Sequence, residues 1–140
     1  MVRCAAFVFL LLFLTFAGCS KPPDEARIHA AIDAMVEAVE QKRPGDFMEH
    51  VATDFSGPAE VSGRIDVERL LRYHQIRNRN IGVVVRSVKI QVRDDRATAS
   101  FHALLTGSQS WLPERGKDYV MVSGWRLDDG EWKLINARWQ

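Results

Sequence analysis

At 140 residues the chain is long enough for one domain with a core that needs no covalent staples. Its 46% apolar content and four tryptophans exclude a disordered chain, and a formal charge of +1 excludes a general attraction to nucleic acid. Both cysteines, Cys4 and Cys19, lie in the first nineteen residues, so the body carries no disulfide and no thiolate metal site.

The chain opens with a basic Met1-Val2-Arg3, then an apolar run of thirteen residues from Ala5 to Ala17, then Gly18-Cys19. A bilayer-spanning helix needs about 20 apolar residues, so this run reads as a secretory h-region. The ending Phe16-Ala17-Gly18-Cys19 resembles the lipobox of bacterial lipoproteins, with Phe16 where Leu is usual. The resemblance implies cleavage after Gly18, diacylation of Cys19 and a firm membrane anchor of two or three acyl chains. It also implies a place in the bacterial cell envelope, facing the periplasm. Ser20 rather than Asp after the cysteine favours the outer membrane. Removing residues 1–18 takes away Arg3 and leaves 18 basic and 18 acidic side chains, so nothing else draws the body to an anionic surface.

Residues 19–25 are then the lipidated cysteine and a short tether stiffened by Pro22-Pro23, and 26–140 form the domain. Asp24 is expected to cap a helix from Glu25 to about Lys42, with Ile28, Ala31, Ile32, Met35 and Val39 on its buried stripe. Pro44-Gly45-Asp46 breaks that helix and starts a second, Asp46 to about Ala52, with Phe47, Met48, Val51 and Phe55 inward. A third is expected from Asp66, as N-cap, to Arg77, with Val67, Leu70, Leu71 and His74 on one stripe. Charge is uneven: Asp24–Glu60 holds nine acidic and three basic residues, Arg64–Arg96 nine basic and four acidic. A cluster such as Arg69, Arg72, Arg77 and Arg79 is most simply a solvated face; the alternative is a dock for an acidic partner or phosphorylated lipid.

From Ile81 the apolar period changes to two. Ile81, Val83 and Val85 alternate, then Val88, Ile90 and Val92 alternate out of phase, which predicts a bulge at Arg86-Ser87. Asp94-Asp95-Arg96 turns the chain into Ala97–Thr106, a loop from Gly107 to Gly116 carries Trp111-Leu112, and Lys117–Leu127 and Glu131–Gln140 complete a four-stranded meander around Asp128-Asp129-Gly130. Helices before sheet make an α+β layout.

Three helices followed by long bent strands resemble the nuclear transport factor 2-like superfamily. The Asp54-Phe55 pair, the third helix opening at Gly63 and the closing Gly130-Glu131-Trp132 to Trp139 strand carry that resemblance over about residues 26–140. It implies three N-terminal helices packed in a strongly curved antiparallel sheet, a cone-shaped, cystatin-like roll with a pocket. A homodimer through the sheet is a further implication. The superfamily's function is not uniform, so the site has to be argued separately.

Isomerase- and cyclase-type cones use a carboxylate base near a proline after the second helix. Here Gly57 precedes Pro58, and the strand Ala97–Thr106 has no Asp or Glu. The weak acid–base candidates are Asp54, His74 and His102. No spacing of His and carboxylates suits a metal, and no nucleotide or cofactor fingerprint is present. Tyr119, Met121 and Trp125 fall on one side of their strand, Val120 and Val122 on the other. Tyr119, Trp125, His102 and Trp111 are therefore the expected ligand contacts, for a small apolar ligand or an envelope protein partner. Three readings stay open: a non-catalytic binding lipoprotein, an isomerase- or cyclase-like enzyme, and a structural subunit of an envelope complex.

Overall fold

The computed structural model describes residues 21–78, 80–108 and 117–140. In chain order they form α1 (Asp24–Glu40), α2 (Pro44–Glu49), β1 (Val51–Ser56), a 3-10 turn (Ala59–Val61), α3 (Arg64–Arg77), β2 (Asn80–Arg93), β3 (Arg96–Ser108), β4 (Lys117–Asp128) and β5 (Glu131–Trp139). The fold is α+β, three helices against one five-stranded mixed sheet of order β1-β5-β4-β3-β2. The signal segment, Cys19 and Trp111 lie outside the described residues.

Each helix starts a little differently from its sequence signals. Pro23, not Asp24, takes the cap position of α1, and Asp24 is its first residue. The Asp24 carboxylate accepts the Trp132 indole N–H at 3.0 Å and an Arg27 guanidinium N–H at 2.8 Å. It pins the helix to β5 rather than capping it. In α3 the cap position belongs to Gly63, and Asp66 sits at the third helical residue. From there its carboxylate reaches back to accept the Gly63 N–H at 3.3 Å and the Ser62 hydroxyl at 2.9 Å.

The second helix is shorter than its pattern predicts. Pro44 presets its first turn, and it ends at Glu49 because Leu134 N–H donates to the His50 carbonyl at 2.8 Å. The chain leaves the helix there and runs parallel to β5, Val51 opposite Leu134 and Ser56 opposite Asn136. Val51, Ala52 and Phe55 remain buried, now as strand residues. Arg64 ties this corner together by donating to the Met48 carbonyl at 2.9 Å and to the Val51 carbonyl.

Strands β2 to β5 form the expected antiparallel meander. Arg86 faces His102 and Lys89 faces Ser100, so β2 carries one extra residue, with Ser87 at φ 57°. Both apolar triplets of β2 are thereby turned to the same concave face. A second extra residue, Ile135, sits in β5 between the Leu134–Trp125 and Asn136–Gly124 pairs. It brings Trp132, Leu134, Ala137 and Trp139 onto that same face. Asp129 (φ 50°) and Gly130 (φ 83°) make the two-residue turn between β4 and β5, a conformation Gly adopts without penalty.

The core fills one end of the cone. Ile28, Ile32 and Met35 of α1 pack on Ala97, Ala99, Trp125, Trp132 and Leu134. The small Ala97 and Ala99 on β3 leave room for the helix and for the Trp125 indole. The other end is built differently: α3 buries none of its residues.

Candidate ligand cavity

Helix α3 meets the core through the half-buried Val67 and Leu71, and a space of about 820 Å³ remains between it, α1 and the sheet. Packed interiors hold few voids larger than a water, whereas ligand pockets run from roughly 300 to 1,000 Å³. This space therefore has the size of a binding site. Its walls are the C-terminal half of α1 (Ile32, Met35, Val36, Val39), the inner side of α3 (Val67, Leu70, Leu71) and the concave strand residues Val83, Val85, Phe101, Ala103, Tyr119 and Met121.

The floor is polar at one point, and that point is satisfied. Ser123, 3% exposed, donates its hydroxyl proton to the Ala99 carbonyl at 3.2 Å and accepts the Trp125 indole N–H at 2.9 Å. Apart from Glu60 on the 3-10 turn, the charged and amide side chains gather at the wide end, where Arg77 and Asn78 close α3 and Thr106 and Lys117 flank the start of β4. Gln75 also lines the cavity, and its Nε2 is shielded from solvent without a hydrogen-bond partner. Sequence reading had no means to single out Gln75, since its place on the inner stripe depends on how α3 is tilted.

The expected site residues separate. Tyr119 lines the cavity, as its alternation predicts. Trp125 does not: at 1% exposure it is part of the closed end, with Ala97 opposite on β3 and Leu134 on β5. His102 is also corrected. The register that turns Phe101 and Ala103 inward sends it to the convex face, exposed, 3.8 Å from the Asp118 carboxylate. His74 lines the cavity but at its open edge, solvent-exposed and edge-on to Tyr73 with ring centroids 5.5 Å apart.

Asp54 lies outside the cavity. Both its oxygens accept from the Arg126 guanidinium at 2.9 Å, and Arg126 also donates to Asp128 at 2.6 and 2.8 Å. The Arg126 hydrogen bonds hold the Asp54 and Asp128 carboxyls below the usual carboxylate range, and the two carboxylates raise the guanidinium in return. A general base working near neutral pH needs the opposite shift. Asp54 is a structural ion-pair partner.

That cluster sets a pH dependence. Carboxyls whose folded pKa is depressed contribute stability above their unfolded pKa, near 4, and lose it as pH falls through the lower folded value. Thermal melts from pH 7 to pH 3 should show the wild type losing stability, and Arg126→Gln should be less stable at pH 7 with a shallower acid slope. Parallel slopes for the two proteins would remove the cluster from this role.

The fold and cavity together define a nuclear transport factor 2-like, cystatin-like cone. No known family profile matches the chain, and no curated protein is similar to it in sequence. Solved structures are similar in shape. A candidate dehydratase of the NTF2-like family from Streptomyces avermitilis superposes with a TM-score of 0.74 at 18% identity, covering 83% of this chain and 94% of that one. An NTF2-like protein with a cystatin-like fold from Novosphingobium aromaticivorans gives 0.72 at 15% identity, covering 96% and 85%. A protein of unknown function with a cystatin-like fold from Nostoc punctiforme gives 0.69 at 13% identity, covering 83% and 89%. At these identities the likeness is one of fold, and function rests on the site.

Proposed function

We propose that this is a bacterial envelope lipoprotein, anchored through acylated Cys19 and favouring the outer membrane, whose cone binds a small apolar ligand without transforming it. The observation that carries the binding half is the apolar-walled cavity of about 820 Å³. The anchor half is supported by the run Ala5–Ala17 and the Phe16-Ala17-Gly18-Cys19 sequence after it.

The geometry of the domain fits this arrangement. Helix α1 begins beside the β4–β5 turn, where Arg27 donates to the Gly130 carbonyl, while Arg77, Gly107 and Lys117 mark the cavity mouth at the other end of the strands. A short tether entering at Asp24 would leave the mouth turned away from the anchoring bilayer. The isomerase- or cyclase-like alternative draws its acid–base pair from Asp54, His74 and His102; of these three only His74 lines the cavity, at the rim. The convex face exposes Val84 and Val120, the surface a homodimer through the sheet would use.

Native mass spectrometry of the detergent-solubilised protein tests the binding half, with a released small-molecule mass as the expected result. Repeated release of an empty chain would overturn ligand binding, and a stoichiometric protein partner would favour the structural-subunit alternative. For the anchor, Cys19→Ser is expected to abolish palmitate labelling and shift the protein out of the outer-membrane fraction. Undiminished labelling would sink the lipoprotein reading.

A further inference from the structure

We infer that the ligand is a single-chain amphiphile with a carboxylate head, its chain inside the cone and its head received at the mouth by Arg77, Lys117 and Gln75. This rests on the ligand-binding reading above and extends it to the chemistry of the ligand.

The cavity is graded along its length. Ile32, Phe55, Phe101 and Met121 make the inner part apolar apart from the hydrogen-bonded Ser123 and from Glu60 on the 3-10 turn, while the cationic side chains of the lining, Arg77 and Lys117, are confined to the mouth. A purely apolar ligand gives no reason for that confinement; an amphiphile does, because only its head needs polar partners.

The two cations come from separate elements. Arg77 closes α3 and Lys117 opens β4, and both line the same cavity. Elsewhere the basic residues of α3 are consumed locally, Arg69 by Asp66 at 3.0 Å and Arg72 by Glu68 at 2.7 Å. Arg77 has no carboxylate partner among the described residues. It donates to the Tyr73 hydroxyl, and its guanidinium carbon lies 5.1 Å from the centre of that ring. This contact props the guanidinium at the rim and leaves its other N–H groups available for the planar fork that suits a carboxylate.

Gln75 supplies an independent indication. A buried amide N–H without an acceptor is costly, and native proteins rarely leave one. Its Nε2 is in that state while lining the cavity. As placed, Nε2 is covered from the cavity as well as from solvent, so a carboxylate oxygen at the mouth would satisfy it once the amide turns toward the cavity that the residue lines. Among the described residues the acidic groups nearest the mouth are engaged or distant, Asp118 with Arg86 at 3.4 Å. The Glu40 carboxylate already accepts the Val83 N–H at 2.9 Å, and Glu60 lines the cavity from the 3-10 turn next to β1 rather than from the Arg77–Lys117 end.

The test is calorimetric titration of dodecanoate, dodecanol and dodecyl phosphate into the full chain held in nanodiscs at pH 8, with empty nanodiscs subtracted. Dodecanoate is expected to bind about tenfold more tightly than dodecanol, the scale of one charge-assisted contact. In the Arg77→Gln, Lys117→Gln double variant the preference for dodecanoate should fall to about one, and a thermal melt close to wild type without ligand shows that the variant is folded. Gln75→Leu should narrow the ratio in the same direction. Equal affinity for acid and alcohol in the wild type overturns the head-group inference and leaves apolar binding standing. Tighter binding of dodecyl phosphate overturns the choice of carboxylate. Binding of none of the three overturns the cavity reading itself.

Discussion

Trp125→Ala is expected to cost about 3–5 kcal/mol, a large part of the stability of a domain this size. Urea unfolding followed by circular dichroism should show the midpoint collapse, with the variant partly unfolded in buffer. The indole is 1% exposed and lies against Ala97 and Ala99, residues too small to close over the hole its removal would leave. The loss is also polar, because the indole N–H donates to Ser123, whose hydroxyl proton goes on to the Ala99 carbonyl. Ser123→Ala keeps the ring but strands its N–H in a dry core, so a smaller loss of about 1–3 kcal/mol is expected. Trp139→Ala, removing a ring only partly buried on the same concave face, should cost less than Trp125→Ala. Equal losses at positions 125 and 139 would show that the core is not concentrated at the closed end.

The fold was largely legible because its signals are local. The phase change between Val85 and Val88 announces the bulge at Arg86-Ser87, since a strand cannot otherwise turn both triplets inward. The Asp129-Gly130 turn is equally explicit. Strand β1 was not legible. Phe47, Met48, Val51 and Phe55 satisfy a helical spacing, and only pairing with β5 late in the chain makes Val51 onward extended. The extra residue at Ile135 is silent for the same reason: its signature is a register with β4, not a pattern in β5.

The site was less legible than the fold. Alternation separates the two faces of β4 but cannot say whether an inward residue meets a helix or a void. Tyr119 and Trp125 share a face, yet one lines the cavity and the other is core, because Ile28, Ile32 and Met35 of α1 pack down on the closed end while the C-terminal half of the helix walls the cavity. His102 could be assigned only once Phe101 was known to face inward. Asp54 drew attention as an acid near Pro58, but its meaning depends on Arg126, far along the chain, arriving beside it.

Ala103→Trp is expected to weaken ligand uptake about a hundredfold while leaving the domain folded. The inward residues of β3 are Ala97, Ala99, Phe101, Ala103 and Leu105, and the two ends of this row differ in what stands above them. Over Ala99, 0% exposed, the space is already full, so Ala99→Trp should overpack the core and unfold the domain. Ala103 lies between Val85 on β2 and Tyr119 on β4, and all three line the cavity. An indole there enters open volume; its burial offsets the strain of fitting it, and Tm should stay close to wild type. The same ring occupies the middle of the chamber, so uptake of a neutral fluorescent naphthylamine probe should weaken about a hundredfold, equivalent to about 2.7 kcal/mol. The paired measurement is decisive because both variants add the same ring to the same strand face four residues apart. If Ala103→Trp unfolds as readily as Ala99→Trp, α3 packs down on the sheet in solution and the chamber is not there; if it folds and still takes up the probe, binding lies elsewhere on the cone.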